Sequence, residues 1–213
     1  MAKKTKAEAL KTRQLLLETA IAQFAARGVT NTTLNDIADA AQVTRGAIYW
    51  HFENKVQLFN EIWLQQPALS DLIGIEPNAE WESNPLRLIR ERLIRGLQYI
   101  ATNPRQRALM QILYHKCEFN EEMLSEQYIR ERIGFSHTKM RSLLMQAIAY
   151  GQISPTLNVE VILIILHGCF SGIVKNWLMD PQRYDLFSQA PTLVDNSLRM
   201  LAVNYNFDEC IMA

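Results

Sequence analysis

Apolar side chains recur every three or four residues along most of the chain, which is the period of an amphipathic helix. The first such stripe ends at Arg27-Gly28, a typical helix stop, and it consists of Leu17, Ala20, Ile21, Phe24 and Ala25. No segment shows the strict alternation of a half-buried strand, and no internal repeat is visible. The pattern therefore predicts an all-α fold.

Three shorter helices are predicted before residue 67. The helix over about 33–41 begins with a capping-box pattern, in which Thr33 is followed three residues later by an aspartate. Thr44 is suited to cap the next helix, which ends near Phe52, and Lys55 opens a fourth helix. Two short helices joined by a few residues are typical of a helix-turn-helix, here about 33–52, whose second helix enters a DNA major groove.

Longer helices follow a break in composition between Pro67 and Pro85. Clusters of Gly, Pro and Asn separate them, and the predicted helices cover roughly 86–101, 105–115, 121–150, 159–179 and 191–204. The chain is thus expected to have about nine helices. A three-helix head with the helix-turn-helix occupies 1–66, and a C-terminal helical bundle occupies 67–213.

Composition narrows the class of protein. A hydrophobic fraction of 48% and a charged fraction of 21% are those of a globular protein. Three widely spaced cysteines form no C-x-x-C pair, which favours a reduced, cytoplasmic location over a disulfide framework or a zinc site. The apolar run 161–174 is too short to span a bilayer, so it is expected to form a buried helix and no membrane partner is expected.

The distribution of charge points the head towards a polyanion. The whole chain is neutral, with 22 Lys and Arg against 22 Asp and Glu. Residues 1–60 carry eight Lys and Arg against five Asp and Glu, a net charge of +3, which leaves −3 on the remainder.

The stretch VTRGAIYWHFENK, residues 43–55, carries four aromatic or imidazole side chains in succession at 49–52. Consecutive residues point in every direction around a helix, so a protein core cannot bury them all. Ile48 and Phe52 lie four apart and are expected to face the core. Arg45 and Tyr49 also lie four apart and share the opposite, outward face, and Trp50 and His51 flank that face. A DNA surface accepts such groups, because they donate hydrogen bonds to phosphates and pack on sugars and thymine methyls.

Individual DNA contacts are predicted from side-chain chemistry. Arg45 is suited to donate two hydrogen bonds to guanine O6 and N7, and the small Gly46 and Ala47 allow the helix to approach the bases closely. Thr33 and Thr44 lie at helix N-termini, where free N–H groups favour a phosphate. Further positive charges near the DNA backbone are expected from a basic arm and from the start of the fourth helix, namely Lys3, Lys4, Lys6, Lys11, Arg13 and Lys55.

These residues resemble the tetracycline-repressor (TetR) family of bacterial regulators. The family pattern T-x-x-x-I-A-x-x-A-x-V-x-x-G-x-x-Y-x-H-F-x-x-K is matched from Thr33 to Lys55. The chain is most similar to the AcrR/EnvR-like branch, the multidrug efflux pump repressors, through KKTK at 3–6, VTRGAIYWHF at 43–52, HKCEF at 115–119 and NWL at 176–178. The resemblance implies a homodimer, joined by its last two helices, that binds double-stranded DNA at a palindromic operator. It also implies release by a small lipophilic or cationic ligand.

A ligand site is predicted from the joint occurrence of aromatic, methionine and polar side chains in the body, the lining expected for drug-sized compounds. The predicted set is Trp63, Gln66, Arg105, Met110, Tyr114, Glu118, Phe119, Phe170 and Trp177. Any one of them also suits an ordinary core position. His115 and Cys117 point away from each other on a helix and suggest no metal site, and His167 is expected to be buried.

Other functions fit the sequence less well. No P-loop, dinucleotide fingerprint, nucleophile elbow or paired-carboxylate metal motif is present, so neither an enzyme nor a cofactor is expected. Two alternatives remain open. The first is a regulator of another set of genes, with activators included, and the second is an all-α interaction module whose aromatic helix binds a partner protein.

Overall fold

A computed structural model describes residues 6–75 and 83–202, and over these residues the chain is all-α, as predicted. Their eleven α-helices are α1 Lys6–Arg27, α2 Leu34–Ala40, α3 Arg45–His51, α4 Lys55–Leu64, α5 Leu69–Leu72, α6 Pro85–Thr102, α7 Pro104–Gln111, α8 Glu126–Ile133, α9 His137–Ala149, α10 Val159–Met179 and α11 Leu186–Ala202. A π-helical segment, Ile112–Lys116, continues α7.

The chain folds into two compact units. The head unit combines the residues up to 69 with 103–134, and the body unit combines 70–102 with the residues from 135 onwards. Helix α7 and the π-helix belong to the head unit because both pack on α1. The sequence also predicts a functional boundary after residue 66, between the head and the C-terminal bundle. This boundary concerns function and not packing, and it stays a prediction.

The core of the head unit consists of the apolar stripes that the sequence predicts for its first helices. Phe24 of α1 and Phe59 of α4 are fully buried, and their ring centroids lie 6.3 Å apart. Truncating such a ring to alanine typically costs about 3–5 kcal/mol of stability. Other buried members of this core are Leu16, Leu17, Ala20, Ile21, Leu34, Ile37, Ala38, Leu58 and Ile62.

The single helix predicted over 121–150 is wrong, because the structure has two helices, α8 and α9, in this range. Ser125 caps α8 by accepting a hydrogen bond from the Tyr128 N–H at 3.2 Å, so the helix begins at Glu126. Gly134 ends it in an extended conformation, and a Cβ there would lie 2.6 Å from the Arg130 carbonyl oxygen. Ser136 then caps α9. Because of this break and the short α5, the described residues form eleven α-helices where the sequence predicts about nine.

The last helix begins at Leu186, five residues before the predicted start at Pro191. The Asp185 side chain accepts a hydrogen bond from the Phe187 N–H at 3.0 Å and so starts the helix. Pro191 lies inside the helix and leaves the Phe187 carbonyl without its usual N–H donor. The Gln98 side chain donates to that carbonyl at 3.3 Å, so the proline is accommodated. The predicted end at residue 204 lies outside the described residues.

Helix α10 is apolar on both its buried and its outer faces. Ile162, Leu166 and Val174 are buried in the body unit, whereas Val161 and Ile164 are 49% and 71% exposed. The prediction that the run 161–174 is buried is therefore correct for one face only. By length and composition α10 is also the one helix, within the described ranges, that is long and apolar enough to cross a membrane. Core helices of globular proteins meet the same criteria.

The outer face of α10 also carries small and polar residues. His167 is exposed, so its predicted burial is wrong. A Cβ added at Gly168 or at Gly172 would meet no atom of the described residues within 4 Å. This face is therefore open within one chain.

Candidate nucleic-acid interface

Two buried side chains anchor the short helix α3 in the head unit. Ile48 and Phe52 are 0% and 1% exposed, as their spacing predicts. Thr44 caps the helix by accepting a hydrogen bond from the Ala47 N–H at 3.2 Å. A helix of two turns is marginal by itself, so the cap and the two anchors determine its position.

The opposite face of α3 is exposed and carries the predicted recognition residues. Tyr49 and Trp50 are 53% and 72% exposed, which is unusual for large aromatic side chains. His51 is half-buried and packs edge-on against Trp50, with ring centroids 4.6 Å apart. A Cβ at Gly46 would meet no atom of the described residues within 4 Å, so the approach to this face is open among them. The face consists of Arg45, Gly46, Ala47, Tyr49, Trp50 and His51.

The two helix N-termini of the helix-turn-helix differ in charge. At α2, the Asp36 carboxylate accepts hydrogen bonds from the Thr33 N–H at 2.8 Å and the Thr33 hydroxyl at 2.7 Å, which lowers the pKa of Asp36. Arg27 adds an ion pair at 3.6 Å. This N-terminus is therefore occupied by its own carboxylate. At α3, Thr44 is followed by Arg45 and the first turn has no acidic residue, so it is the better phosphate site.

Two predicted cations make contacts inside the head unit. The Lys55 ammonium donates to the Val29 carbonyl at 2.7 Å and the Thr30 carbonyl at 3.2 Å, so it ties α4 to the turn before α2. Arg13 does not extend as part of a basic arm. Its guanidinium pairs with Glu61. Lys6 and Lys11 are exposed on α1, and the predicted arm residues Lys3 and Lys4 lie outside the described residues.

Part of the predicted ligand set forms an aromatic cluster at the end of α4. Trp63 is fully buried, and its ring lies 6.0 Å from that of Phe59, which in turn lies 6.1 Å from Phe119. The Trp63 indole N–H has no hydrogen-bond partner among the described residues. A buried donor without an acceptor is costly, and an acceptor on a ligand or a water would satisfy it.

The predicted polar lining is instead paired within the protein. Arg105 donates to the Gln66 side-chain oxygen at 2.6 Å, and its guanidinium also contacts both carboxylate oxygens of Glu18, with the Nε–Oε2 distance at 2.8 Å. Gln66 is buried and also donates to the Ile62 carbonyl. This network joins α1, α4 and α7 within the head unit.

The remaining predicted ligand residues are distributed over both units. Met110 is buried, Glu118 is exposed, and the Tyr114 ring lies 4.9 Å below the Arg130 guanidinium. Phe170 and Trp177 belong to the body unit, where Phe170 packs edge-on against a phenylalanine at 5.2 Å and Trp177 is buried. The composition of the ligand site therefore stays a prediction.

The sequence analysis missed the contacts that hold α4 along its length. The Asn60 side chain accepts from the Leu124 N–H at 2.8 Å and donates to the Glu122 carbonyl at 3.3 Å. Arg132 of α8 donates to the carbonyls of Trp63, at 3.3 Å, and Leu64. A guanidinium at these last carbonyls caps the helix, and no sequence spacing reveals a cap that comes from about 70 residues away.

Metal and thiol chemistry find no support in the described residues. Over 6–75 and 83–202, no group of three or more His, Cys, Asp or Glu side chains is arranged to hold a metal ion. Burial raises the pKa of Cys117 to about 11, with the nearby carboxylates of Glu126 and Glu118 adding to the effect. The thiol is therefore protonated near neutral pH and a poor nucleophile.

A capped, two-turn helix that is anchored on one face and aromatic and basic on the other defines this chain as a helix-turn-helix regulator. Residues 16–62 match the family described as "Bacterial regulatory proteins, tetR family", and residues 84–203 match "MAATS-type transcriptional repressor, C-terminal region". The chain belongs to the TetR family of transcriptional repressors.

Relatives in this family cover nearly the whole chain. It is 61% identical over 211 residues to the "Probable acrEF/envCD operon repressor" of Escherichia coli (strain K12), covering 99% of this chain and 96% of that protein. It is 40% identical over 201 residues to the "HTH-type transcriptional regulator AcrR" of Shigella flexneri, covering 94% of each. The crystal structure of NalD, the secondary repressor of the MexAB-OprM multidrug efflux pump in Pseudomonas aeruginosa, has a TM-score of 0.70 at 31% identity and covers 93% of this chain and 100% of that one.

Proposed function

We propose that this protein is a ligand-responsive transcriptional repressor of a multidrug efflux pump operon, acting in the cytoplasm without a cofactor and without enzymatic activity. The exposed face of α3 is the observation that carries the proposal, because it combines a capped N-terminus, Arg45, and two exposed aromatic side chains. The choice of regulon is supported by the similarity to NalD, the secondary repressor of the MexAB-OprM multidrug efflux pump, and to the probable acrEF/envCD operon repressor.

DNA binding follows from the chemistry of this face. Arg45 lies in the first turn of α3, where its guanidinium is suited to reach guanine edges as the helix enters the major groove. Tyr49 and His51 are suited to donate to phosphates, and Trp50 to pack on sugars or thymine methyls. Thr44 directs the helix N-terminus at a phosphate.

A homodimer follows from the outer face of α10. Exposed Val161 and Ile164, together with the open surface at Gly168 and Gly172, form an apolar face that a second copy of the chain would cover. A two-fold dimer presents two α3 helices to the two halves of a palindromic operator. The last two helices are proposed to form this interface.

Release by ligand is proposed to act through α4. Lys55 at one end of this helix contacts the turn before α2, and Trp63 at the other end is buried, with an indole N–H that has no partner among the described residues. Eight residues at about 1.5 Å each separate them by about 12 Å, so one rigid helix joins both sites. A lipophilic or cationic compound bound near Trp63 would shift the helix and, with it, α3.

Genome-wide footprinting with the purified protein tests the proposal. We expect protection of a palindromic site upstream of an efflux pump operon, with an affinity that falls steeply between about 50 and about 200 mM salt, because phosphate binding releases counterions. Protected sites at unrelated genes would contradict the regulon. The absence of any protected, salt-sensitive site would contradict DNA binding itself.

A further inference from the structure

The side chain of Arg13 connects three helices of the head unit. It projects from α1 and pairs with the Glu61 carboxylate of α4. The same guanidinium lies 4.5 Å from the ring centroid of Phe52, the C-cap residue of α3. Arg13 and Glu61 side chains are only 28% and 21% exposed, so the pair is largely screened from water.

The partners of Arg13 are themselves held in place. Both oxygens of the Glu61 carboxylate are used, since Oε2 accepts from Arg13 and Oε1 accepts from the Gln65 side chain at 2.7 Å. The Phe52 ring is 1% exposed and therefore has a single packed position. A planar guanidinium between a fixed carboxylate and a fixed ring has little freedom to move.

We propose that Arg13 and Glu61 are positioning residues for operator recognition, which rests on the proposed DNA-binding function. Their contact fixes the C-terminal end of α3 relative to α1 and α4, while Thr44 fixes its N-terminal end. Contacts with base edges need side chains placed to within about 0.5 Å, and a two-turn helix is too short to be straight and stable without both ends held. The pair thus determines how α3 is presented to the major groove.

A direct electrostatic effect of Arg13 and Glu61 on DNA would change the binding affinities differently from positioning. If Arg13 bound a phosphate, its loss would weaken operator and unrelated DNA alike and reduce the salt slope by about 0.9. Replacing Glu61 by the neutral isostere glutamine removes a negative charge near a polyanion, so electrostatics alone would strengthen DNA binding. If Arg13 and Glu61 position α3, Glu61→Gln weakens operator binding instead.

The experiment compares full-length wild type, Arg13→Ala, Glu61→Gln and the double variant. Fluorescence anisotropy measures binding to an operator duplex and to a scrambled duplex from about 50 to about 200 mM salt, below the melting temperature of each variant. Lys11→Ala removes an exposed cation of the same helix that is expected near the DNA backbone, so it serves as the electrostatic reference and should weaken binding to both duplexes by similar factors. We expect each single variant to lose about tenfold in operator affinity, the effect of roughly one impaired base contact.

The expected pattern has three further parts. Affinity for the scrambled duplex stays within about twofold, the salt slope is unchanged, and the double variant is no worse than either single one, because the two residues act as a unit. Operator affinity that is unchanged or higher in Glu61→Gln would overturn the proposal. So would an equal loss on both duplexes in Arg13→Ala with a slope reduced by about 0.9.

A DNA-free measurement separates this inference from the proposed function. Hydrogen exchange of the amides at 47–52 reports how firmly α3 is held, and we expect faster exchange in Arg13→Ala and Glu61→Gln with slow exchange retained in the core of α1. Wild type that fails to prefer operator over scrambled DNA would refute the proposed function. Unchanged exchange in α3 would refute positioning, whatever the result with DNA.

Discussion

Among single side chains, Arg45 is expected to carry the most sequence information. If its guanidinium donates two hydrogen bonds to one guanine, Arg45→Ala should cost about 1–3 kcal/mol of operator binding and relax the preference at one base position. Competition binding with operators substituted at each position measures both effects. Unchanged affinity and unchanged base preference would show that α3 is not the recognition helix.

Lys55 is expected to act on every DNA sequence alike. Two of its ammonium hydrogens bind the carbonyls of Val29 and Thr30, which leaves one for a phosphate. Lys55→Ala should therefore weaken operator and scrambled DNA by similar factors and lower the salt slope by about 0.9. A salt titration on both duplexes provides the measurement. A loss confined to the operator, at unchanged slope, would mean that Lys55 only holds the turn before α2.

The sequence predicts the recognition face well because one short segment determines it. The cap at Thr44, the anchors Ile48 and Phe52 and the exposed Tyr49 all follow from spacing within a single helix. The role of Arg13 does not follow, since its partner Glu61 is 48 residues away and only the tertiary fold brings them together. The same limit applies to the predicted ligand residues, whose contacts are with residues far away in the sequence.

Among the helices, α4 is the proposed centre of the switch. Asn60 and Arg132 attach it to the segment 120–133, so a shift of this segment would move α4. Asn60→Ala and Arg132→Ala should lower the factor by which ligand weakens operator binding, from the roughly 5–150-fold typical of such coupling towards one. The ratio of operator affinities with and without saturating ligand measures this factor.

This test of α4 includes a control variant and a result that would contradict the prediction. Gln127 is exposed on α8, and its side chain donates a hydrogen bond to Glu131 of the same helix, so Gln127→Ala should leave the coupling unchanged. Variants at Asn60 and Arg132 that keep full coupling would show that ligand acts on α4 without this segment.

Helix boundaries show where sequence patterns are sufficient and where they are not. The starts of α2 and α3 are predicted correctly because Thr33 and Thr44 cap the helix locally. The break at Gly134 is missed because the apolar residues before it, Ile129 and Ile133, and those after it, Met140 and Leu144, keep the same helical period, and one glycine inside a helix is tolerated. The early start of α11 is missed because Gln98, from another helix, satisfies the carbonyl that Pro191 leaves open.

For the whole molecule, the proposed function requires a dimer. Gly172 lies on the outer face of α10, where an added Cβ would meet no atom of the described residues within 4 Å. Gly172→Asp should therefore leave the monomer folded but place a charge in the apolar interface, which would break the dimer and operator binding together. Sedimentation velocity and circular dichroism test this. A monomeric variant that binds the full operator as tightly as wild type would contradict the dimer.

The coupling between ligand and operator tests the account most directly. Rhodamine 6G, a fluorescent lipophilic cation, is titrated into wild type and Trp63→Ala, each alone and saturated with operator. Linkage requires that operator weaken the dye by the same factor by which the dye weakens operator, roughly 5–150-fold for a coupling of about 1–3 kcal/mol. We expect this factor in wild type and a much smaller one in Trp63→Ala, with ligand-free operator affinity nearly unchanged. Equal dye affinity with and without operator in wild type would contradict the switch, however tightly the dye binds.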